Sequence, residues 1–74
     1  MTDSPWIKYS NDNNVSIVLN LDKASRFRHC ESGSESFVEV LIDGEIHSIL
    51  LSTDPGAYQD VLDYIKRTSG YELT

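Results

Sequence analysis

The segment FVEVLIDGEIHSILL, residues 37–51, carries the strongest local structural signal in the chain. Two apolar runs rich in β-branched residues flank Asp43-Gly44, and an Asp-Gly pair suits the positive φ angles of a two-residue type I′ turn. The segment therefore predicts a β-hairpin in which Ile42 lies opposite Glu45. The same register predicts the pairs Val40 with His47, Val38 with Ile49, Leu41 with Ile46, and Glu39 with Ser48.

Three further strands are predicted upstream of this hairpin. A short aromatic and β-branched run at residues 6–9 and a period-two apolar pattern at residues 15–21 indicate two strands joined by a polar loop. Residues 25–31 indicate a third strand with one mostly polar face. Carrying the hairpin register across the loop at residues 32–35 pairs this strand with the hairpin. The resulting pairs are Arg28 with Glu39 and Phe27 with Val40.

The C-terminal segment predicts an α-helix. Asp54-Pro55 fits an N-cap followed by the first helical residue, because the cap oxygen accepts an orphan amide and proline has none to lose. Gly70 is the expected C-terminal cap. An apolar stripe at i, i+3, i+4 and i+7 is expected to face the sheet. Its members are Tyr58, Val61, Leu62 and Ile65.

Together these elements predict an α+β fold, with a four- to five-stranded antiparallel sheet followed by one C-terminal α-helix. The strand order predicts a meander that is free to curl. A chain of 74 residues supports one hydrophobic core, so residues 5–70 are expected to form a single domain. Residues 1–4 and 71–74 are expected to fray.

The predicted register divides the apolar residues of the sheet between two faces. One face is expected to pack against the helix and consists of Phe27, Val38, Val40, Ile42, Ile49 and Leu51. The candidate partner surface on the other face consists of Phe37, Leu41, Ile46 and Leu50. Because one helix covers one face, something else must cover this surface. Curling into a partly closed barrel, packing of the first two strands, or a partner chain would each do so, and covering within the chain is favoured over a partner.

The charge balance argues against nucleic acid as a partner. Twelve Asp and Glu against six Lys and Arg give a net charge of −6, which repels phosphates over most of the surface. The candidate basic patch is Lys23, Arg26 and Arg28, with Phe27 between the two arginines. A glycine-flanked aromatic pattern of RNA-binding sheets is missing around it. Nucleic acid binding is therefore not expected.

The remaining composition predicts a cytoplasmic protein. The single cysteine, Cys30, cannot form an intramolecular disulfide, which favours a reducing compartment. The sequence has no run of about 18 apolar residues, and residues 1–6 lack the basic and apolar regions of a signal peptide. We expect neither export nor contact with a membrane.

The sequence contains three residues that could carry chemistry, each with a simpler explanation. His29 and Cys30 are adjacent, but neighbouring residues of a strand point to opposite faces, which opposes a direct proton relay. His47 lies opposite Val40 and is more typical of a hydrogen-bonded histidine at the edge of a core. Paired metal-ligand spacings, phosphate-binding loops and nucleophile motifs are missing from the sequence. No catalytic residue, metal or cofactor is predicted.

Three functions follow, in decreasing order of support. The first is a small, acidic, non-enzymatic interaction module that binds a protein partner or a second copy of itself as a homodimer. The second is an acidic decoy or inhibitor that occupies the nucleic-acid-binding site of a partner, which the charge of −6 suggests. The third is a small enzyme or ligand-binding domain, for which a core of this size rarely encloses a sufficient pocket.

Overall fold

A computed structural model describes residues 4–73. Within that range the elements are β1 (Trp6–Ser10), β2 (Ser16–Asn20), a 3-10 helix (Leu21–Lys23), β3 (Ala24–Ser32), β4 (Glu35–Ile42), β5 (Glu45–Leu50) and α1 (Pro55–Ser69). Antiparallel strands followed by one C-terminal helix confirm the α+β class. The fraying expected of residues 1–3 and 74 lies outside the described residues.

The strands form two sheets, so the prediction of a single four- to five-stranded sheet is wrong. β1 and β2 pair with each other, and a separate sheet has the order β3-β4-β5. The division occurs at the 3-10 helix, where the Asn20 side chain accepts a hydrogen bond from the Asp22 amide at 3.0 Å. There the chain turns inward and buries Leu21, whose amide donates to the Pro5 carbonyl at 2.8 Å. Burial of Leu21 therefore redirects the chain before β3 can pair with β2.

The hairpin predicted around Asp43-Gly44 is confirmed in turn type and register. Asp43 and Gly44 have φ angles of 52° and 81°, the two positive values that a type I′ turn requires. All of the predicted β4–β5 pairs are present. The predicted pairing of Arg28 with Glu39 and of Phe27 with Val40 is also confirmed between β3 and β4.

The helix begins and ends as predicted. The Asp54 carboxylate accepts from the Ala57 amide at 3.1 Å, Pro55 opens the helix, and Gly70 follows its end with a left-handed φ of 83°. The predicted stripe is confirmed for Tyr58, Val61 and Ile65, while Leu62 is half-buried. Ala57 and Tyr64 are also buried, so the apolar face is wider than the sequence analysis indicated.

One hydrophobic cluster joins both sheets and the helix. Val38, Val40 and Ile49 have no exposed surface and confirm the predicted core face, called here the inner face. Phe27 and Ile42 are half-buried against it, but Leu51 is 41% exposed because β5 ends one residue earlier. The β1–β2 hairpin adds Ile7, Tyr9 and Leu19 to this cluster. The hairpin and α1 therefore both pack on the inner face.

Residues 4–73 include no helix long and apolar enough to cross a lipid bilayer.

Candidate interaction surface

The face of the β3-β4-β5 sheet opposite the core is called here the outer face. Because side chains alternate along each strand, the observed register places the even-numbered residues of β3 beside odd-numbered residues of β4. Three rows result across the sheet. They are Arg26, Leu41 and Ile46; Arg28, Glu39 and Ser48; and Cys30, Phe37 and Leu50.

The structure brings all members of the candidate partner surface together on the outer face. Phe37, Leu41 and Leu50 are half-buried and lie outside the hydrophobic cluster, and Ile46 is 56% exposed. The first two strands, which the sequence analysis offered as a cover, pack on the inner face instead. Their connecting loop approaches the outer face only beside Ser48 and Leu50 on β5. Within residues 4–73, no layer covers this surface.

The outer face also carries most of the candidate basic patch. Arg26 and Arg28 are exposed along β3, whereas Lys23 lies in the 3-10 helix before that strand. The Arg28 Nε atom lies 3.1 Å from Glu39 Oε1, and its Nη2 atom lies 3.6 Å from the Cys30 sulfur. The hydrogen bond to Cys30 and then the charge of Glu39 raise the pKa of Arg28. Arg26 forms no salt bridge among the described residues.

A shallow depression joins the basic and apolar parts of the outer face. Its lining is Arg26, Arg28, Glu39, Leu41 and Ile46. The Arg26 guanidinium, which has no carboxylate partner among the described residues, therefore lies beside two aliphatic side chains. This combination suits a partner that presents carboxylates next to apolar groups, because each of the two contact types is available within one small area.

His29, Cys30 and His47 do not form a reactive group together. His29 lies on the inner face, where its Nε2 atom is 2.6 Å from the Tyr58 hydroxyl, and Cys30 lies on the outer face. The His47 Nδ1 atom is 3.3 Å from the Tyr9 hydroxyl, which fits the prediction of a hydrogen-bonded histidine at the core edge. Among residues 4–73, no group of three or more His, Cys, Asp and Glu side chains could hold a metal ion.

Two larger grooves are described besides the shallow depression, one away from the outer face and one at its border. The first, about 290 Å³, separates α1 from the residues that follow it and is lined by Gln59, Leu62, Asp63, Lys66, Glu72 and Leu73. The second, about 250 Å³, is lined by Ser10, Asn11, Asp12, Asn13, Ser48, Leu50 and Thr53. In the second groove the Asp12 carboxylate already accepts the Thr53 hydroxyl at 2.8 Å.

Two supporting residues were missed by the sequence analysis. Tyr9 and Tyr64 are buried, and each uses its hydroxyl to reach a polar side chain of another element, His47 and Asp22 respectively. The spacing of Ala57, Val61 and Tyr64 at i, i+4 and i+7 was the signal that could have identified Tyr64 as part of the helix's buried face. Tyr9 gave no comparable signal, because its run is too short to show a period.

Comparison of the chain with protein-family models, with curated proteins and with solved structures found no match.

Proposed function

We propose that this chain is a small, acidic, non-enzymatic interaction module that binds a protein through the outer face of its three-stranded sheet. The observation that carries the proposal is the position of the helix and the β1–β2 hairpin, which both pack on the inner face. Phe37, Leu41, Ile46 and Leu50 are thereby left without a covering layer within the described residues. Clustered apolar side chains with polar neighbours are typical of protein-binding surfaces.

The composition of the outer face supports a protein as the occupant. Interface centres are enriched in aromatic residues and arginine, and the outer face combines Phe37 with Arg26 and Arg28. The face has a shallow depression beside Leu41 and Ile46 and an open groove at its border beside Ser48 and Leu50. A small ligand would need a more enclosed cavity to bury most of its surface, whereas a protein partner can lie across an open sheet face.

A second copy of the chain is one partner that this surface could accept, forming a homodimer. The net charge of −6 opposes the approach of two copies, while the arginines of the outer face favour it locally. We place the protein in the cytoplasm, because Cys30 is the only cysteine and is partly exposed on this face.

The two alternative functions have weaker support. A decoy for a nucleic-acid-binding site needs its carboxylates gathered on one face, yet Asp12, Asp22, Asp43 and Asp60 lie on a loop, the 3-10 helix, a turn and α1. An enzyme needs reactive groups that converge, and His29 and Cys30 point to opposite faces. The interaction module needs only the surface already described.

Capture of partners by a tagged chain, with and without one substitution, tests the proposal. Ile46→Asp places a charge on the apolar surface beside Leu41, and the 56% exposure of Ile46 means that the change should not unfold the chain. Val18→Asp on β2 is the matched control, since Val18 is also β-branched and 58% exposed. We expect Ile46→Asp to lose a partner, or a dimer, that both the wild type and Val18→Asp retain.

Quantitative mass spectrometry of the captured proteins and sedimentation velocity give the two readouts. Circular dichroism confirms that each variant is folded. A wild-type chain that stays monomeric, and an Ile46→Asp variant that is folded and retains every partner at wild-type levels, would remove the outer face as a binding surface.

A further inference from the structure

The β3 strand forms an open edge of the three-stranded sheet. With nine residues it is the longest strand described, and it pairs only with β4. Apart from the Ala24 amide, which donates to the Leu21 carbonyl of the 3-10 helix, no backbone hydrogen bond from β3 to an element other than β4 is described. An unpaired strand edge presents a row of amide and carbonyl groups that can pair with another extended chain.

The opposite edge of the same sheet is less accessible. The loop between β1 and β2 shares a groove with Ser48 and Leu50 of β5. On β3, by contrast, the contacts with the helix involve side chains on the inner face. Phe27 packs on Tyr64 with ring centroids 6.1 Å apart, and His29 bonds to Tyr58. These contacts hold β3 in place and leave its edge open.

The charges along β3 select the partner. A strand added beside β3 would place alternate side chains next to Arg26 and Arg28 on the outer face. Arg26 has no carboxylate partner among the described residues, and Arg28 has one oxygen of Glu39. Carboxylates at alternate positions of the incoming strand would therefore form cross-strand ion pairs with these guanidinium groups.

A second copy of β3 fits this edge poorly. Arg28 is the middle residue of Ala24–Ser32, so antiparallel pairing of two full β3 strands places Arg28 opposite Arg28. Like charges directly opposite each other destabilise a strand pair. Charged residues on an edge commonly protect it from self-pairing, and here the same charges favour a strand of opposite sign.

We infer that the partner of this module supplies an extended acidic segment that adds to the sheet along β3, with carboxylates at alternate positions against Arg26 and Arg28. The inference rests on the proposed function, because it names the partner's chemistry and the part of the binding surface that it contacts. Apolar contacts across Leu41 and Ile46 would then lie beside the added strand.

A blocked nine-residue peptide of alternating threonine and glutamate is the probe. Titration into the labelled chain, followed by amide chemical shifts, measures both affinity and position. We expect the largest shifts in β3 and small shifts in β5. A matched peptide with lysine in place of glutamate should bind at least about tenfold more weakly, and a peptide with a central proline should not bind, because proline removes a ladder donor.

Arg26→Glu is the informative variant, and Lys8→Glu on β1 is its control with the same change in net charge. Both residues are exposed. Reversing one cross-strand charge should weaken binding of the glutamate peptide by about three- to tenfold. Lys8→Glu should change it by less than about twofold, because it lies on the other sheet.

The inference would be overturned if the lysine or the proline peptide bound as tightly as the glutamate peptide, or if Arg26→Glu and Lys8→Glu weakened binding of the glutamate peptide equally. Chemical-shift changes centred on β5, or dimerisation of the chain through β3, would also overturn it. The same holds if the glutamate peptide does not bind at millimolar concentration. If the cellular partner is nevertheless lost in Ile46→Asp and kept in Val18→Asp, the proposed function stands and only the acidic-strand inference fails.

Discussion

Tyrosine hydroxyl groups connect distant parts of the chain at the border of the core. Tyr64 of α1 donates a hydrogen bond to Asp22 in the 3-10 helix, and Tyr58, earlier in the same helix, lies within hydrogen-bond distance of His29 on β3. Arg67 lies 5.3 Å from the centroid of the Tyr64 ring. The Asp22 hydrogen bond, followed by burial and the charge of Asp22, raises the pKa of Tyr64, which Arg67 partly opposes.

The raised pKa of Tyr64 predicts a loss of stability at alkaline pH. Its folded-state pKa lies above the ordinary value of 10.0, so the stabilisation is complete below that pH and is lost as pH rises through the folded-state value. Tyr64→Phe should cost about 1 kcal/mol at pH 8 and should flatten the decline in unfolding free energy above pH 10. Urea unfolding at pH 8 and at several values above pH 10 measures both effects.

Tyr71→Phe is the control for this prediction, because Tyr71 is 75% exposed and its hydroxyl makes no described hydrogen bond. The free energy of unfolding of Tyr71→Phe should equal that of the wild type at pH 8. An equal alkaline decline in Tyr64→Phe and the wild type would contradict the role assigned to the Asp22 contact. Tyr9 contributes in the same direction, since burial also raises its pKa.

At the scale of elements, Asp54 joins the helix to the first sheet. One carboxylate oxygen accepts from the Ala57 amide at 3.1 Å, which caps α1, and the other accepts from the Ser10 amide at the end of β1 at 3.0 Å. The Asp-Pro signal in the sequence predicted the cap. The contact with Ser10 could not be predicted, because it joins residues that are 44 positions apart.

Asp54→Ala removes both contacts and should lower the free energy of unfolding by about 2 kcal/mol, combining a lost cap with an amide that loses its acceptor. Asp54→Asn keeps one side-chain carbonyl oxygen and should lower the free energy of unfolding by about half as much. The urea unfolding midpoints of the wild type, Asp54→Asn and Asp54→Ala should therefore fall in that order. An Asn variant as stable as the wild type would mean that only one of the two contacts contributes.

The hairpin around Gly44 offers a second prediction at this scale. Gly44→Ala introduces a Cβ atom at a φ of 81° and should cost about 1 kcal/mol even though no neighbour lies within 4 Å. Gly56→Ala in the first turn of α1 is the matched control, since its Cβ would approach Asp54 Oδ1 only to 3.8 Å. It should stabilise by up to about 1 kcal/mol. The thermal unfolding midpoints of the two variants should therefore shift in opposite directions from that of the wild type. A shift in the same direction would contradict the turn geometry.

Local features of the fold could be predicted from the sequence more fully than features that depend on long-range packing. Asp43-Gly44 predicted two strands and their register, because a two-residue turn leaves no freedom in pairing. The pairing of Arg28 with Glu39 depended also on the length of the loop before β4, which is a two-residue turn at residues 33–34. The division into two sheets was not predictable in this way. It depends on Leu21, whose apolar side chain looked like the last residue of a strand and instead turns into the core.

The candidate site was predictable to the same extent as the register. Phe37, Leu41, Ile46 and Leu50 were placed on one face by alternation alone, and the structure has them there. What lies over that face depends on where the β1–β2 hairpin packs. Five-residue strands carry too little pattern to specify this, and burial of Ile7 and Tyr9 against α1 and the inner face decided it.

At the scale of the whole molecule, two sheets and one helix share a single hydrophobic cluster, which predicts cooperative unfolding. Within residues 4–73, neither the two-stranded sheet nor the helix has another core to support it. Trp6, the single tryptophan, lies on β1 and reports on that sheet by fluorescence, while far-ultraviolet circular dichroism reports on α1 and the larger sheet. The two probes should give the same urea midpoint.

Val61→Ala sharpens this prediction, because Val61 lies on α1 with no exposed surface and is part of the cluster shared by both sheets. The lost methyl groups and the resulting cavity should cost roughly 2 kcal/mol. Although the substitution is on the helix, the Trp6 fluorescence transition should move to lower urea by the same amount as the circular dichroism transition. A Trp6 transition that stays at its wild-type midpoint would mean that the β1–β2 hairpin unfolds independently. That hairpin would then be free to leave the inner face, and the assignment of the outer face as the uncovered one would have to be reconsidered.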